Sequence, residues 1–144
     1  MAITGMNLND YVIVLADDDP EIRSTYGALF TAKGYAVHAC ADGAQALALC
    51  KEFRPAVALI DLDMPVLDGY ETAKQLRADP ELAGMRIIAI AGRSDERSSA
   101  RAWDAGFHEF LAKPVPTSML LSIVRPTREL QGVIQAIERA KTKT

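Results

Sequence analysis

Residues 12–20 read VIVLADDDP and residues 56–63 read AVALIDLD, so two short apolar runs each end in aspartates. Continuous apolar runs of this length are typical of parallel strands that are buried on both faces of a sheet. Similar runs recur elsewhere in the chain. The sequence therefore predicts five strands, over residues 11–16, 35–40, 56–60, 86–91 and 107–112.

Segments with the apolar spacing of helices lie between these runs and after the last one. Within residues 21–33, for example, Ile22, Tyr26 and Leu29 recur at steps of four and three, and Gly34 follows as a suitable helix end. Alternating strands and helices with short connections predict an α/β domain with a parallel sheet and right-handed crossovers. The predicted helices are residues 21–33, 44–53, 70–78, 95–105 and 117–124.

Composition and length describe one ordinary globular domain. The chain has 144 residues, of which 49% are hydrophobic and 24% charged, with a formal net charge of −3. A negative net charge argues against direct binding to nucleic acid. No apolar run approaches the roughly 20 residues that span a bilayer, so no membrane association is predicted. Residues 1–10 lack the pattern of a signal peptide, and we expect a cytoplasmic location.

The cysteines and histidines do not form a metal-binding pattern. Cys40 and Cys50 are too few for a disulfide scaffold and are interpreted as reduced thiols of the core. His38 and His108 are the only histidines and are interpreted as structural, and Trp103 is interpreted as a residue that packs a helix. A zinc site is therefore not predicted.

Charged residues follow three of the predicted strands. Asp17 and Asp18 follow the first, Asp61 and Asp63 follow the third, and Lys113 follows the fifth. The carboxyl ends of parallel strands meet at one edge of a sheet, where open α/β sheets carry their sites. Crowded carboxylates repel one another unless a cation or a proton joins them, and hard oxygen ligands suit Mg²⁺. A lysine at the same edge would help to hold a phosphoryl group, and Asp61 is the candidate nucleophile.

Each of these residues also has a structural interpretation. The aspartates at 17–19 could cap the helix that follows them, and Asp61 and Asp63 could be polar residues of a loop. Asp68-Gly69 is typical of a turn, and a single lysine such as Lys113 is usually solvated. The joint placement of acids after strands one and three, and of a lysine after strand five, favours a functional site.

At this point the chain resembles the response-regulator receiver domain of bacterial two-component signalling. The resemblance covers about residues 9–125, which we predict to be the receiver domain, with residues 126–144 as a C-terminal helical extension and tail. It implies a flavodoxin-like (βα)5 fold with a doubly wound five-stranded parallel sheet in strand order 2-1-3-4-5. The segments that carry the resemblance are residues 12–20, residues 58–65 with Asp68-Gly69, Ala105-Gly106 and Lys113-Pro114.

The resemblance also implies a role for each site residue. Asp61 would accept phosphate from the phosphohistidine of a sensor histidine kinase or a histidine phosphotransfer protein. Asp18 and Asp61 would bind Mg²⁺ through carboxylates, Asp63 through its backbone carbonyl and Asp17 through water. Lys113 would pair with the phosphoryl oxygens, and its bond to Pro114 would be cis. Such a protein is not an enzyme in the usual sense, because it phosphorylates and slowly dephosphorylates only itself and signals through altered protein contacts.

One position departs from the family pattern. The fourth strand of a receiver normally ends in a serine or threonine, whose hydroxyl couples the phosphoryl group to an aromatic switch residue on the fifth strand. The corresponding residues here are Ala91 and Phe110, so the aromatic is retained and the hydroxyl is not. Asp63 and Arg93 occupy positions that tune phosphate lifetime in the family. Arg93 is a candidate to replace part of the missing hydroxyl, and a solvated loop arginine is the alternative.

Two other functions compete with the phosphoacceptor. A haloacid-dehalogenase-like phosphatase also uses an Asp-x-Asp motif after a strand, although Pro65 and the early acid pair do not fit its pattern. A degenerate receiver would bind a partner without phosphate, which Ala91 favours and the intact Asp18, Asp61 and Lys113 oppose.

The C-terminal region carries a second amphipathic pattern beyond Pro126. Leu130, Val133 and Ile137 recur at helical steps, and the pattern predicts an extra helix over residues 127–140 that contributes to a homodimer. A short helix docked on its own domain is the alternative. No output domain is recognisable after the receiver, so we expect either a stand-alone receiver or a fragment of a hybrid kinase or longer regulator, with an unknown downstream protein target.

Overall fold

The computed structural model describes residues 11–92, 96–126, 136 and 139–140. Within these residues the strands are β1 Val12–Ala16, β2 Ala36–Cys40, β3 Val57–Asp61, β4 Arg86–Ala91 and β5 Glu109–Ala112. The α-helices are α1 Pro20–Ala32, α2 Gly43–Phe53, α3 Gly69–Ala78, α4 Glu96–Ala105 and α5 Thr117–Val124. The strands are parallel and their order is β2-β1-β3-β4-β5, so the predicted flavodoxin-like (βα)5 fold is confirmed.

The neighbouring interior strands β1 and β3 position the candidate site. They pair in parallel, and Ala16 lies opposite Ile60 at their carboxyl ends. The residue that follows each of these partners is an aspartate, Asp17 or Asp61, and both are buried. The apolar runs thus bring two acidic groups side by side, because their hydrophobic residues require both strands to lie in the middle of the sheet.

The sheet separates two apolar cores, because successive side chains of a strand point to opposite faces. On one face Leu15 of β1 packs in a cluster with Phe30 of α1 and Leu120 of α5. The other face is covered by α2, α3 and α4, with buried residues such as Leu76 and Ala102. Full burial of a large apolar side chain contributes about 1.5–3 kcal/mol, so both layers of helices are held firmly.

All ten predicted strands and helices agree with the structure to within two residues, and three details differ from the predictions. The interpretation of Trp103 as a packing residue is wrong: its side chain is 52% exposed, because α4 turns the small residues Ala102 and Ala105 towards the core. β5 begins at Glu109 rather than at residue 107. A short 3₁₀ helix, Pro80–Leu82, lies between α3 and β4 and is not predicted.

The sulfur and imidazole side chains take the structural roles that the sequence predicts. Cys40 and Cys50 are both buried free thiols of the core. His38 stacks on Phe53 with 3.7 Å between ring centroids. His108 lies at the amino end of the sheet and contacts Arg77.

Of residues 127–144, the structure describes only three positions. Ala136, Arg139 and Ala140 have helical backbone conformation and are exposed. The predicted helix over residues 127–140 and its role in a homodimer remain predictions. In the described part of the chain, no helix combines the length and apolar character needed to cross a membrane.

Candidate functional site

The carboxyl ends of β1, β3 and β5 bring two aspartates and a lysine into contact. Nζ of Lys113 lies 2.9 Å from Oδ2 of Asp17 and 3.4 Å from Oδ2 of Asp61. The backbone N–H of Lys113 donates to the carbonyl of Ala91, which fixes the end of β5 against β4. The Lys113–Pro114 peptide bond is cis, as the resemblance implies. The structure therefore gathers these predicted site residues in one place.

Three carboxylates at this edge could share a metal ion. One oxygen from each of Asp17, Asp18 and Asp61 lies within 4.8 Å of the other two. Asp17 and Asp61 are buried and Asp18 is exposed, so the cluster is open to solvent on one side. Oδ2 of Asp17 is fully buried, and among the described residues Lys113 is its one polar partner. An all-oxygen set with a poorly satisfied buried oxygen fits a hard divalent cation such as Mg²⁺.

The aspartates in the loop after β1 have two different roles, helix capping and formation of the site. Asp19 is the N-cap of α1, and its Oδ1 accepts a hydrogen bond of 2.9 Å from the backbone N–H of Glu21. Asp17 Oδ1 accepts the backbone N–H of Asp19, which holds the Asp17 carboxylate at the end of β1. The capping interpretation of residues 17–19 is therefore confirmed for Asp19, while Asp17 and Asp18 face the carboxylate cluster.

The loop after β3 is built around Asp61. Its Oδ1 accepts a hydrogen bond of 3.2 Å from the backbone N–H of Asp63, whose own side chain is exposed. Asp68 caps α3 by accepting the N–H of Glu71, in agreement with the turn interpretation. A Cβ atom at Gly69 would overlap the backbone carbonyl of Asp61, so only glycine lets α3 begin against the end of β3.

The charges at this edge perturb one another. Burial and, next in size, the charge of Asp17 raise the pKa of Asp61 from 3.8 to about 6, although the Asp63 N–H and Lys113 oppose the shift. Burial would lower the pKa of Lys113, but its hydrogen bonds and ion pairs with Asp17 and Asp61 outweigh burial and raise it. Lys113 is therefore a permanent cation, and the Asp61 carboxylate is in an environment that an additional cation would improve.

Ala91 and Phe110 occupy the two positions that form the switch in the receiver family. Ala91, at the end of β4, is 2% exposed and carries no hydrogen-bonding side chain. Phe110 of β5 is half-buried and packs against the core beneath α2, α3 and α4. Arg93 lies outside the described residues, so its predicted role stays a prediction. The chain thus retains the aromatic residue of the switch, while position 91 supplies no hydroxyl.

A cavity of about 340 Å³ adjoins the site on the side of Ala91. The guanidinium carbon of Arg101, on α4, lies 3.9 Å from the ring centroid of Tyr70, on α3. The Tyr70 hydroxyl donates a weak hydrogen bond of 3.5 Å to the carbonyl of Ser98. Tyr70 and Arg101 are not recognisable as neighbours from the sequence, since no local pattern joins residues on two separate helices. The cavity is lined by Leu62, Asp63, Tyr70, Ala91, Ser98 and Arg101.

Comparisons with known proteins agree with this geometry. A family model, the response regulator receiver domain, matches residues 13–125. The DNA-binding dual master transcriptional regulator RpaA of Synechocystis is 27% identical over 113 residues, or 78% of this chain and 47% of RpaA. Response regulator MprA of Mycobacterium sp. strain KMS is 32% identical over 78% of this chain and 48% of its own length. The chain therefore spans about half the length of these curated relatives.

A solved structure bears more directly on the site. The receiver domain of sensor histidine kinase PA1611 from Pseudomonas aeruginosa PAO1 superimposes with a TM-score of 0.74. The two chains are 31% identical, and the match covers 79% of this chain and 93% of that one. The PA1611 domain was crystallised with a magnesium ion coordinated in its active site cleft.

Proposed function

The chain belongs to the response regulator receiver domain family, and on that premise we propose that it accepts a phosphoryl group on Asp61 from a phosphohistidine. The donor would be a sensor histidine kinase or a histidine phosphotransfer protein, which we expect to meet the chain in the cytoplasm. The observation that supports the proposal is the position of buried Asp61 beside the carboxylates of Asp17 and Asp18 and 3.4 Å from the ammonium of Lys113. A carboxylate in these surroundings could attack a phosphorus atom whose oxygens are neutralised by Lys113 and by a cation held at the carboxylates.

The proposed transfer uses the chain's own groups in defined roles. A carboxylate oxygen of Asp61 attacks phosphorus in line with the leaving nitrogen, the P–N bond breaks, and the imidazole keeps the electron pair. Lys113 offsets the charge on the transferred oxygens from a distance of 3.4 Å to Asp61. The hydrogen bond from the Asp63 N–H to Oδ1 holds the Asp61 carboxylate in one orientation.

We propose Mg²⁺ as the cofactor. The carboxylates of Asp18 and Asp61 and the backbone carbonyl of Asp63 would hold it, with Asp17 acting through water. A bound Mg²⁺ would neutralise negative charge on the reacting oxygens. The carboxylate cluster of this chain and the magnesium ion of the PA1611 receiver domain support this assignment.

The proposed output is a change in protein contacts rather than catalytic turnover. The reaction modifies the chain itself, and hydrolysis of the acyl phosphate resets it, so we do not propose an enzyme that acts on other molecules. RpaA is described as a DNA-binding regulator, but the chain spans only about half of its length. Direct binding of nucleic acid by this region is therefore not proposed, and the downstream protein target is unknown.

One observation favours a second candidate function, that of a degenerate receiver that binds its partner without phosphate. Ala91 lacks the hydroxyl that normally reads the phosphoryl group, so a phosphorylated Asp61 would lack one of the usual ligands. The haloacid-dehalogenase-like phosphatase receives no such support, because the family match and the strand order both belong to receivers.

Phosphorylation by a small donor tests the proposal. We expect acetyl phosphate with Mg²⁺ to add one phosphoryl group to the parent chain, and Asp61→Asn to lose this labelling to background, as followed by intact-protein mass spectrometry. Asp104→Asn is the matched control, because Asp104 is an exposed aspartate of α4 away from the carboxylate cluster. A parent chain that stays unlabelled would support the degenerate receiver, and repeated turnover of a phosphomonoester would support the phosphatase.

A further inference from the structure

Ala91 leaves one wall of the site without a hydrogen-bond donor. It closes the end of β4, pairs with β5 through its backbone and lines the cavity of about 340 Å³ with a methyl group. Asp63, two residues after the proposed phosphoacceptor, lines the same cavity. Phosphoryl oxygens that project from Asp61 towards β4 would therefore enter a space bounded by Ala91 and Asp63.

The same cavity is also lined by a cation whose hydrogen-bond donors are not used by the described residues. Among the described lining residues Arg101 is the one cation, and its guanidinium lies 3.9 Å from the ring centroid of Tyr70. Within residues 11–92 and 96–126 this guanidinium has the ring contact and no hydrogen bond or ion pair. Stacking on an aromatic ring leaves the N–H donors at the edge of the guanidinium plane available.

Phosphorylation would change the balance of forces on Arg101. A phosphoryl group brings three acceptor oxygens and about two negative charges. A charge-assisted, bidentate hydrogen bond to such a group is stronger than the contact of an exposed guanidinium with a ring. Asp63 lines the same cavity and adds negative potential to it. The guanidinium therefore gains by moving from the ring of Tyr70 to the phosphoryl oxygens.

We propose that Arg101 binds the phosphoryl group of Asp61 across this cavity and takes over the role of the hydroxyl that is missing at Ala91. The inference rests on the proposed phosphorylation of Asp61. Because Arg101 belongs to α4 and Tyr70 to α3, the movement breaks a contact between these helices and links α4 to the phosphorylated end of β3. The phosphoryl group is thus read by a helix rather than by the end of β4.

The single tryptophan of the chain provides the measurement. Trp103 lies on α4 two residues from Arg101 and is 52% exposed, so its fluorescence reports the surroundings of this helix. The parent chain is titrated with beryllofluoride in the presence of Mg²⁺, as an analogue of the phosphoryl group. The variants are Arg101→Gln, Arg101→Lys and Arg97→Gln; Arg97 is an exposed arginine of the same helix that does not line the cavity.

We expect Arg101→Gln to weaken beryllofluoride binding about tenfold, the loss of one charge-assisted hydrogen bond, and to abolish the fluorescence change. Arg101→Lys should retain part of the affinity, and Arg97→Gln should match the parent. The double variant Ala91→Thr/Arg101→Gln should regain affinity, because the threonine hydroxyl restores a donor to the bare wall. In the parent background Ala91→Thr should add less affinity, because Arg101 already supplies a donor there, whereas a role of Arg101 in packing alone predicts equal gains in both backgrounds.

Labelling by acetyl phosphate separates the two proposals. Arg101→Gln should still be labelled on Asp61, but to a lower steady-state extent than the parent, because it should lose the phosphoryl group several-fold faster. If both chains are labelled and Arg101→Gln keeps the parent's beryllofluoride affinity, fluorescence change and phosphoryl lifetime, the role of Arg101 is wrong while the phosphoacceptor stands. If neither chain is labelled, the proposed function fails and this inference fails with it.

Discussion

At the amino end of the sheet, the guanidinium of Arg77 lies within 3.1 Å of four acceptors. One is Nδ1 of His108, at 2.8 Å, which also accepts the backbone N–H of Ile87 at 3.1 Å. Every acceptor is a neutral group, and each contact joins α3 to the segments that lead into β4 and β5. The other three acceptors are the backbone carbonyls of Ala83, Met85 and Gly106.

The carboxyl end of the same sheet is arranged in the opposite way. Asp17 and Asp61 are buried close enough for the charge of one to raise the pKa of the other. Val66, in the loop after β3, has a φ of 69°, and a hydrogen bond from Leu67 N–H to the Pro65 carbonyl closes a tight turn around it. A β-branched residue in this region of φ is a strained outlier.

The difference indicates that the two ends of the sheet have different roles. The polar groups at the amino end are satisfied within the chain, so they hold α3, β4 and β5 together. The groups at the carboxyl end keep charge and strain that the chain alone does not relieve, which is typical of binding sites. Substitutions that remove polar groups at the amino end should therefore lower the stability of the chain, whereas substitutions that remove charge or strain at the carboxyl end should raise it.

The largest effect should come from Arg77→Ala. Removal of the guanidinium leaves the His108 nitrogen and three carbonyls without their donor, and we expect the free energy of unfolding to fall by about 2–4 kcal/mol. Chemical denaturation measures this change. Arg97→Ala, on an exposed arginine of α4, is the control and should stay within about 0.5 kcal/mol of the parent. Equal effects of the two substitutions would contradict the comparison.

Asp61→Asn should have the opposite effect on stability. Without metal, loss of the buried charge beside Asp17 should raise the free energy of unfolding by about 1–2 kcal/mol at pH 7, because a raised carboxyl pKa means that ionisation destabilises the fold. Added Mg²⁺ should stabilise the parent and leave the variant nearly unchanged. Thermal unfolding of both chains, measured without Mg²⁺ and at Mg²⁺ concentrations that increase in about 10-fold steps, checks both statements. A destabilised, metal-responsive variant would show that Asp61 is not a site of unrelieved charge.

Val66→Asn should stabilise the chain by about 1 kcal/mol, since asparagine adopts positive φ more readily than valine. The side chain of Val66 is 82% exposed, so the substitution loses little packing. Val66→Thr is the control, because threonine is also β-branched and keeps the strain. Denaturation midpoints that do not separate the two variants would mean that the loop holds no strain at this residue.

The smallest effect should be a pH dependence from His108. Burial, followed by the charges of Arg77 and Arg86, lowers the pKa of His108, and Glu109 opposes the shift. The unfolded chain then binds a proton at this position more readily than the folded one. The contribution of neutral His108 to stability is therefore fully present above about pH 6.5 and is lost as the pH falls below it. His108→Asn keeps a neutral acceptor and should remove this component. An unchanged pH profile of stability between pH 5 and about pH 8 in the variant would contradict the assignment.

The prediction of the site succeeded where chain topology alone brings residues together. Asp17, Asp61 and Lys113 each follow an apolar run, and parallel strands deliver the residues at their carboxyl ends to one edge whatever the side chains on the helices do. The network of Arg77 and His108 was not predicted, because its partners are backbone carbonyls and a ring nitrogen that no local pattern identifies. Other features of the same kind are the stack of Arg101 on Tyr70 and the exposure of Trp103.

Hydrophobic periodicity in the sequence by itself determined the strands, the helices and the edge at which the aspartates and Lys113 meet. That information is local, because each apolar run reports its own burial and the parallel connection follows from chain geometry. Only the tertiary structure decided the distances of 2.9 and 3.4 Å from Lys113 to its two carboxylates, the raised pKa of Asp61 and the cavity beside Ala91. These properties depend on how side chains from different elements pack and lose water, and packing is a relation between residues that lie far apart in the chain.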